Sequence, residues 1–361
     1  LFIIISCAFI VRMSLVLTSP LPEFRDAAEY DRIAWNLVNS NGYSMDKHPP
    51  YAPTARRGPT YPLFLAGIYL LFGRNYTVVR VIQAIVSSMT CLVGYLIARD
   101  IFGKKIGLIS ALIMALFPPL MYYDGHILTE TLFTFMLAVT VLLVVKGLEH
   151  RSTVMYSIAG MFLGMTALCR PTALLFPIGV LIMLLLIYKR KKQAILHSGV
   201  LFLTFTMILL PWTIRNYITF RTLVPIATGG GSVLYGGNYK VAEESSVIGR
   251  RIKDPKSVQG DRMLIEEALK LIVRHPFGYM KMCVERFVRF WKPRSWSDLF
   301  GIGSFSEYIR SDRYLPLIPK MMLLSIDGSA IFLGFLGGIL SLPMWRRTLP
   351  IGMPILYFTA C

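Results

Sequence analysis

The chain has 361 residues, of which 55% are hydrophobic and 16% charged, with a mean hydropathy of +0.57. A soluble domain carries about a quarter charged residues, so composition excludes an ordinary soluble enzyme and points to a polytopic membrane protein. The formal net charge is +18, but Lys and Arg fall mainly in short loops between apolar runs, which fits an anionic membrane leaflet and argues against nucleic acid as a partner.

The first predicted element is an apolar run over 1–17. No small-residue cleavage site precedes the acidic stretch after it, so it reads as a retained transmembrane helix rather than a signal peptide. Leu1 already lies within this run, and residues 350–361 stop partway through another, so the chain reads as part of a longer protein. The acidic stretch, Glu23-Phe24-Arg25-Asp26-Ala27-Ala28-Glu29-Tyr30-Asp31, opens an outer region over 18–76. Within that region Tyr61–Phe72, flanked by Pro62 and Gly73, is too short to span and predicts a juxtamembrane helix.

Transmembrane helices 2–7 are predicted across 77–210. Their apolar runs are Thr77–Ala98, Ile106–Tyr122, Ile127–Val145, Val154–Leu168, Ala173–Tyr188 and Ile195–Leu210. A second outer region follows over 211–320, with amphipathic helices at Gly260–Val273 and Pro276–Trp291. The second of these suits a membrane surface or packing on the transmembrane core. Helices 8 and 9 fall in 321–361, as Met321–Leu342 and a run from Pro350. The basic turns Arg99/Lys104/Lys105, Lys146/Arg151, Lys189–Lys192 and Arg346/Arg347 predict one cytoplasmic side. Tyr123–His126 and Cys169–Pro171 then face outward with the two long regions.

The glycine-rich segments Thr228–Ser232 and Tyr235–Asn238 lack the Lys-Ser/Thr of a phosphate loop. No repeat of fixed period is visible. Cys7, Cys91, Cys169, Cys283 and Cys361 are scattered, with no CxxC pair, and read as neither a disulfide framework nor a zinc site.

Asp26 is the leading candidate for chemistry. A carboxylate where the first helix leaves the membrane can take a proton from an attacking hydroxyl. Asp26, Glu29, Tyr30 and Ile33 share one face of a predicted amphipathic helix; alternatively, Asp26 is an N-terminal acid complementing the helix dipole. Asp124, His126 and Glu130 form a second polar group. Asp124 and His126 read as site residues or as a solvated turn. Glu130 is expected one or two turns into an apolar run, where a carboxylate defaults to a functional hypothesis. Arg56, Arg57, Arg170 and Arg215 are outer cations. Arg170 either grips an anion or snorkels to the interface. Lys47 and His48 are weaker candidates in a proline-rich loop.

These residues form an ordered set: Asp-x-x-x-Tyr after helix one, Arg-Gly-Pro-Thr-Tyr-Pro-Leu-Phe-Leu-Ala at 57–66, and Val79-Arg80-Val81-Ile82-Gln83-Ala84. Then come Phe117-Pro118-Pro119, Leu128-Thr129-Glu130-Thr131-Leu132-Phe133, Cys169-Arg170-Pro171-Thr172 and Arg215-Asn216-Tyr217. Over most of its length the chain resembles the bacterial family 39 glycosyltransferases of the GT-C fold, relatives of protein O-mannosyltransferases and the lipid A aminoarabinose transferase. The resemblance implies a polyprenyl-phosphate-linked sugar donor, inversion at the anomeric carbon, and a lipid, glycan or protein acceptor at the outer, periplasmic face of a bacterial inner membrane. It implies that Asp26 is the catalytic aspartate, that Glu130 is the acidic position of the second outer turn, and that Arg57 and Arg170 lie near the donor phosphate. Glu29, Tyr30, Asp124, His126 and Arg215 complete the expected substrate-binding set. The family often places a second acid beside the first-loop Asp; here Ala27 follows, and Glu29 or Asp31 is the substitute. No particular cofactor is implied, and a divalent metal is left open. A transporter or flippase of a lipid-linked sugar is the main alternative; it favours internal repeats and mid-membrane polar groups. A polysaccharide polymerase or ligase and a non-catalytic assembly subunit are others.

Overall fold

The computed structural model describes residues 1–18, 25–238, 257–291 and 317–360. Glu23 and Phe24 of the acidic stretch, parts of the second outer region (239–256 and 292–316) and Cys361 lie outside the described residues. Among the described residues the architecture is helical, with one isolated antiparallel bridge between Ser44 and Pro53. In chain order the helices are α1 (Phe2–Thr18), α2 (Arg25–Val38), α3 (Thr60–Phe72), α4 (Tyr76–Phe102), α5 (Lys104–Leu116), α6 (Pro118–Asp124), α7 (Glu130–His150) and α8 (Thr153–Cys169). They continue as α9 (Phe176–Ile187), α10 (Lys191–Phe220), α11 (Gly230–Asn238), α12 (Val258–Arg274), α13 (Pro276–Phe290), α14 (Leu317–Leu340) and α15 (Trp345–Ala360).

Among the described residues, α4, α7, α10 and residues 321–340 of α14 are long and apolar enough to cross a membrane, and α5 with α6 makes a fifth span bent by 54°. The bend follows from local chemistry. Pro118 holds the preceding Phe117 in extended backbone (φ −76, ψ 112), because its ring disfavours the α conformation one residue before. The remaining apolar helices are shorter, so fewer elements reach full spanning length than the nine predicted. Helix α3 has 13 residues, about 20 Å at 1.5 Å per residue, well short of a 30 Å hydrocarbon layer.

Helix α4 begins on Asn75, whose side chain accepts from the N–H groups of Thr77 and Val78, satisfying two of the unpaired donors at a helix start. Helices α8 and α10 approach most closely at Gly160 and Gly164. A Cβ on Gly160 would lie 2.1 Å from Thr204 Oγ1, and one on Gly164 would lie 2.7 Å from Ile208 Cβ. This is small-residue packing at a four-residue interval, which lets two backbones close up where lipid gives no hydrophobic drive.

Helix α10 runs on through Pro211 to Phe220, 30 residues in all, which is longer than the hydrocarbon layer requires. Proline removes one internal hydrogen bond, here the one to the Met207 carbonyl, and the helix continues on its remaining bonds.

Two of the basic turns meet: Lys146 of α7 lies 2.8 Å from Asp100 of α4, which also pairs with Arg99 at 2.7 Å. Tyr188 bonds His197 at 3.0 Å and Tyr156 at 3.4 Å, linking α8, the end of α9 and α10. At the other end of these helices, α2, α3 and the 39–59 segment form a cap over α4, α7 and α8. Helix α15 packs along α9, and its Tyr357 hydroxyl donates to the Thr172 carbonyl at 2.7 Å. No residue of α13 is buried; Phe277 is 88% exposed, as suits a helix whose apolar face meets lipid.

Candidate functional site

Helix α2 carries the predicted Asp26, Glu29 and Tyr30. Its inner face buries Ala27, Ile33 and Ala34, with Ala27 and Ala34 in one core with residues of α3 and α7, which fixes the rotation of the helix and turns Asp26 and Glu29 toward the 54–58 segment. That segment is pinned on α8. Thr60 Oγ1 donates to the Met165 carbonyl at 3.0 Å, and a Cβ on Gly58 would sit 2.0 Å from the Leu168 carbonyl oxygen. Only glycine permits so close a backbone approach, and it delivers Arg57 to α2. Tyr43 secures the segment from the other side by donating to the carbonyls of Arg57 (2.9 Å) and Gly58 (3.0 Å).

Arg57 is the hub. Its Nη2 lies 2.6 Å from Asp26 Oδ1 and its Nε lies 2.7 Å from Glu29 Oε2. Its Nη1 donates to the Tyr30 hydroxyl at 3.3 Å, and the guanidinium stands 4.8 Å from the Tyr30 ring centroid. Arg56 adds a second bond to Glu29 Oε2 at 3.2 Å. Glu29 is thus held by two guanidinium groups, whereas the Asp26 side chain is 56% exposed and its Oδ2 has no partner among the described residues. Burial works against the Arg57 charge, but Tyr30, Glu29 and Asp26 together hold its pKa above the ordinary arginine value. Burial raises the Tyr30 pKa, with Arg57 opposing and Asp26 adding to the rise, so Tyr30 stays a neutral hydrogen-bonding group at physiological pH.

Arg170 stands in extended backbone between α8 and a short 3₁₀ turn at Pro171–Ala173. Its Nη1 donates to Glu130 Oε1 at 2.7 Å and to Thr129 Oγ1 at 3.4 Å. Burial again opposes the charge, and Glu130, with Tyr30 and Cys169, more than offsets it, raising the Arg170 pKa. Its Nε and Nη2 have no partner among the described residues. Tyr30 lies within electrostatic reach of both Arg57 and Arg170, so the Asp26–Arg57 and Glu130–Arg170 pairs flank one tyrosine. Glu130 is the first residue of α7, not one or two turns inside an apolar run as expected. Residues 125–129 form the turn before it, and the helix N-terminus favours a carboxylate there.

Asp124 and His126 are placed differently from a solvated turn. Both are 1% exposed. Asp124 Oδ2 pairs with Arg12 Nε at 3.0 Å, and its Oδ1 accepts from Thr131 Oγ1 at 2.9 Å. The carbonyls of Asp124 and His126 accept from Gln83 Nε2 at 3.1 and 2.7 Å, and Gln83 Oε1 accepts from the Tyr61 hydroxyl at 2.6 Å. This network ties the Asp124 turn to the α3 floor beneath Tyr30, whose ring meets that of Tyr61 edge-on at 5.1 Å. Sequence reading passed over Arg12; its signal was an arginine inside an apolar first helix, where a charge needs a partner. Gln83 lies within the Val79–Ala84 motif, with no sign there of its partners.

Arg215 donates to the Thr54 carbonyl at 2.8 Å and to Asn216 Oδ1 at 3.0 Å, and it stacks near Tyr43 and Trp212. It braces the 54–58 segment from α10. Asp31 is turned away from Arg57: it accepts from Tyr69 at 2.8 Å and pairs with Arg74. Of the two proposed substitutes for a second acid, only Glu29 faces the cluster. Lys47 and His48 are exposed. Among the described residues no three of His, Cys, Asp and Glu converge on one point, and the neighbouring carboxylates Asp26 and Glu29 share a guanidinium. This donor set does not fit a divalent ion.

A family model described as dolichyl-phosphate-mannose-protein mannosyltransferase matches residues 48–214. That segment holds Arg57, Glu130 and Arg170. Two solved structures share the architecture, both of the oligosaccharyltransferase from Archaeoglobus fulgidus. One is AglB in complex with an inhibitory peptide and a dolichol-phosphate, with a TM-score of 0.57 and 16% identity over 99% of this chain and 47% of that one. The other, in complex with Zn and sulfate, has a TM-score of 0.51 and 16% identity over 99% of this chain and 52% of that one. The chain therefore spans about half the length of these proteins. No curated protein matches it in sequence. With its helical membrane architecture the chain shares the fold of these oligosaccharyltransferase structures, and residues 48–214 are similar to the dolichyl-phosphate-mannose-protein mannosyltransferase family.

Proposed function

We propose that the protein transfers a sugar, with inversion, from a polyprenyl-phosphate-linked donor to a hydroxyl or phosphate of a lipid, glycan or protein acceptor. The reaction takes place on the outer face of the membrane, opposite the basic turns. The observation that carries this reading is Asp26: a carboxylate held by one oxygen on Arg57 and open at the other. For a hydroxyl acceptor, Asp26 takes its proton as the oxygen attacks the anomeric carbon. The bond from that carbon to the phosphate oxygen breaks, and the electron pair leaves with the polyprenyl phosphate. Cations preorganised where that charge grows lower the barrier without moving during the step.

The two arginines divide this work. Arg57 has its donors committed to Asp26, Glu29 and Tyr30, so it orients the base. Arg170 keeps Nε and Nη2 available for a phosphate, while Glu130 and Thr129 hold the other branch of the fork. A planar guanidinium anchored on one side suits bidentate phosphate recognition. Tyr30, neutral between them, can bond a sugar hydroxyl.

The test is a strain lacking the protein, with mass spectrometry of lipid-linked sugars and of cell-envelope glycoconjugates. The expected result is accumulation of one polyprenyl-phosphate sugar and loss of one glycoconjugate, both reversed by the parent chain and not by Asp26→Asn. Unchanged lipid-linked sugars and glycoconjugates would overturn the reading.

A further inference from the structure

The glycine-rich turn at 228–231 has no phosphate-loop signature, and its backbone is engaged from within the chain. Asp261, buried in the first turn of α12, accepts at Oδ1 from the N–H groups of Gly229 and Gly231, each at 2.8 Å. These charge-assisted bonds commit two donors at the start of α11 to the protein itself. Glycine is required at both positions. Gly229 has a φ of +110°, which residues with a side chain rarely adopt. A Cβ on Gly231 would lie 2.2 Å from the Asp261 carbonyl oxygen. Turn and helix are thus closed on each other, with a small core of Tyr235, Leu264 and Ala268 between α11 and α12.

The same turn meets the Asp26 cluster. The Thr228 N–H donates to the Ala55 carbonyl at 2.8 Å, and a Cβ on Gly229 would lie 3.8 Å from Arg56 Nη1. Arg56 bonds the two oxygens of Glu29 at 3.3 and 3.2 Å. Glu29 also accepts from Arg57, and Arg57 holds Asp26. A continuous chain of contacts therefore runs from Asp261 to the base. Without Arg56, Arg57 would be the one remaining guanidinium on Glu29, and the group that orients Asp26 would be drawn toward that second carboxylate. Asp261 lies outside the 48–214 segment that matches the mannosyltransferase family, so the match gives no sign of it.

We infer that Asp261 is a positioning residue of this site: through the 228–231 turn it keeps Arg56 on Glu29 and thereby Arg57 on Asp26. Its consequence for turnover rests on the transfer reaction proposed above, whereas the chain of contacts is tested without donor. Hydrogen exchange of the full chain in detergent reads the amides of Thr228 and of Arg56, whose N–H donates to Thr54 Oγ1 at 3.1 Å. Asp261→Ala should speed both by about tenfold or more, the effect of losing a hydrogen bond to a charged group. Asp261→Asn, which keeps the Oδ1 acceptor, should stay near the parent. Gly231→Ala, which forces the turn off α12, should reproduce Asp261→Ala. Gly230→Ala, whose Cβ meets nothing within 4 Å, should be silent. In single-turnover transfer Asp261→Ala should lose about 10–100-fold, the scale of a small misplacement of the reacting groups, with donor affinity kept. That split separates it from Arg170→Ala, which weakens both. A role confined to the stability of α11 and α12 would speed exchange in those helices and leave the Arg56 amide and the transfer rate at parental values; this result would overturn the inference, as would a loss of donor affinity in Asp261→Ala. Failure of the transfer reading would appear separately, as faster exchange at Arg56 in a protein that consumes no polyprenyl-phosphate sugar.

Discussion

Arg12 of the first helix and Asp124 at the end of α6 form an ion pair at 3.0 Å, with side chains 0% and 1% exposed. Arg12 also bonds Ser87 Oγ at 2.9 Å and the carbonyls of Ala8, Ala115 and Met114 at 3.0–3.1 Å. One guanidinium thus joins α1, α4 and the α5–α6 elbow. Removing one partner of a buried pair leaves an uncompensated charge and costs about 3–5 kcal/mol, whereas replacing both is far cheaper. Arg12→Ala should therefore sharply lower the melting temperature in detergent. Arg12→Met combined with Asp124→Asn, which keeps an acceptor for Thr131, should recover most of it. A single Arg12→Ala variant melting like the parent would show that the pair does not hold the helices.

The helices were legible because membrane segments announce themselves by composition, and Asp26, Glu29 and Tyr30 fell on one face by simple helical spacing. The sequence does not show which cations reach that face. Arg57 arrives because Gly58 lets the segment touch the end of α8, a contact between residues 110 positions apart. Asp124 and Arg12, 112 positions apart, had no local sign of pairing. Pro211 reads as a breaker in water, yet α10 runs through it, because a helix in apolar surroundings keeps its other backbone bonds.

Gly58→Ala should test the contact that delivers Arg57. The added Cβ would meet the Leu168 carbonyl oxygen at 2.0 Å and its carbon at 3.0 Å, and backbone on both sides must shift. Overpacking of this kind costs about 1–3 kcal/mol, and the displaced neighbour is Arg57. Both melting temperature and turnover should fall. Gly67→Ala in α3, where a Cβ meets nothing within 4 Å, should be neutral or stabilising, since alanine is the better helix former. Equal behaviour of the two variants would remove the contact from the account.

His126 gives stability a pH dependence. Burial lowers its pKa below the ordinary 6.5, although the Tyr122 carbonyl, 3.0 Å from Nδ1, partly supports the proton. Above 6.5 both folded and unfolded states are neutral there, and the group contributes no slope. Below it the unfolded chain binds the proton first, so stability falls as pH drops from 6.5 toward the folded value. The melting temperature of His126→Gln, compared with the parent in steps across that window, should decline less steeply. Parallel curves would show that another group carries the acid sensitivity.

Asp26→Asn should lower the transfer rate by about 10²–10⁴, the usual cost of losing a general base, with donor affinity largely kept. The amide still offers an oxygen to Arg57 but cannot accept the acceptor's proton. Arg170→Ala should differ: it removes the open guanidinium face and leaves Glu130 without its cation, so donor binding and turnover both weaken. Arg170→Lys, which keeps the charge and loses the fork, should fall between parent and alanine. The assay needs the purified protein, a polyprenyl-phosphate sugar and an acceptor extract, with donor binding measured separately from single-turnover transfer. Leaving-group charge grows in the transition state, so Arg170→Ala should lose more in the transfer step than in binding. Near-parental transfer by Asp26→Asn would remove Asp26 as the base and move suspicion to Glu29. Unchanged donor affinity and transfer in Arg170→Ala would leave that side chain as the partner of Glu130 alone.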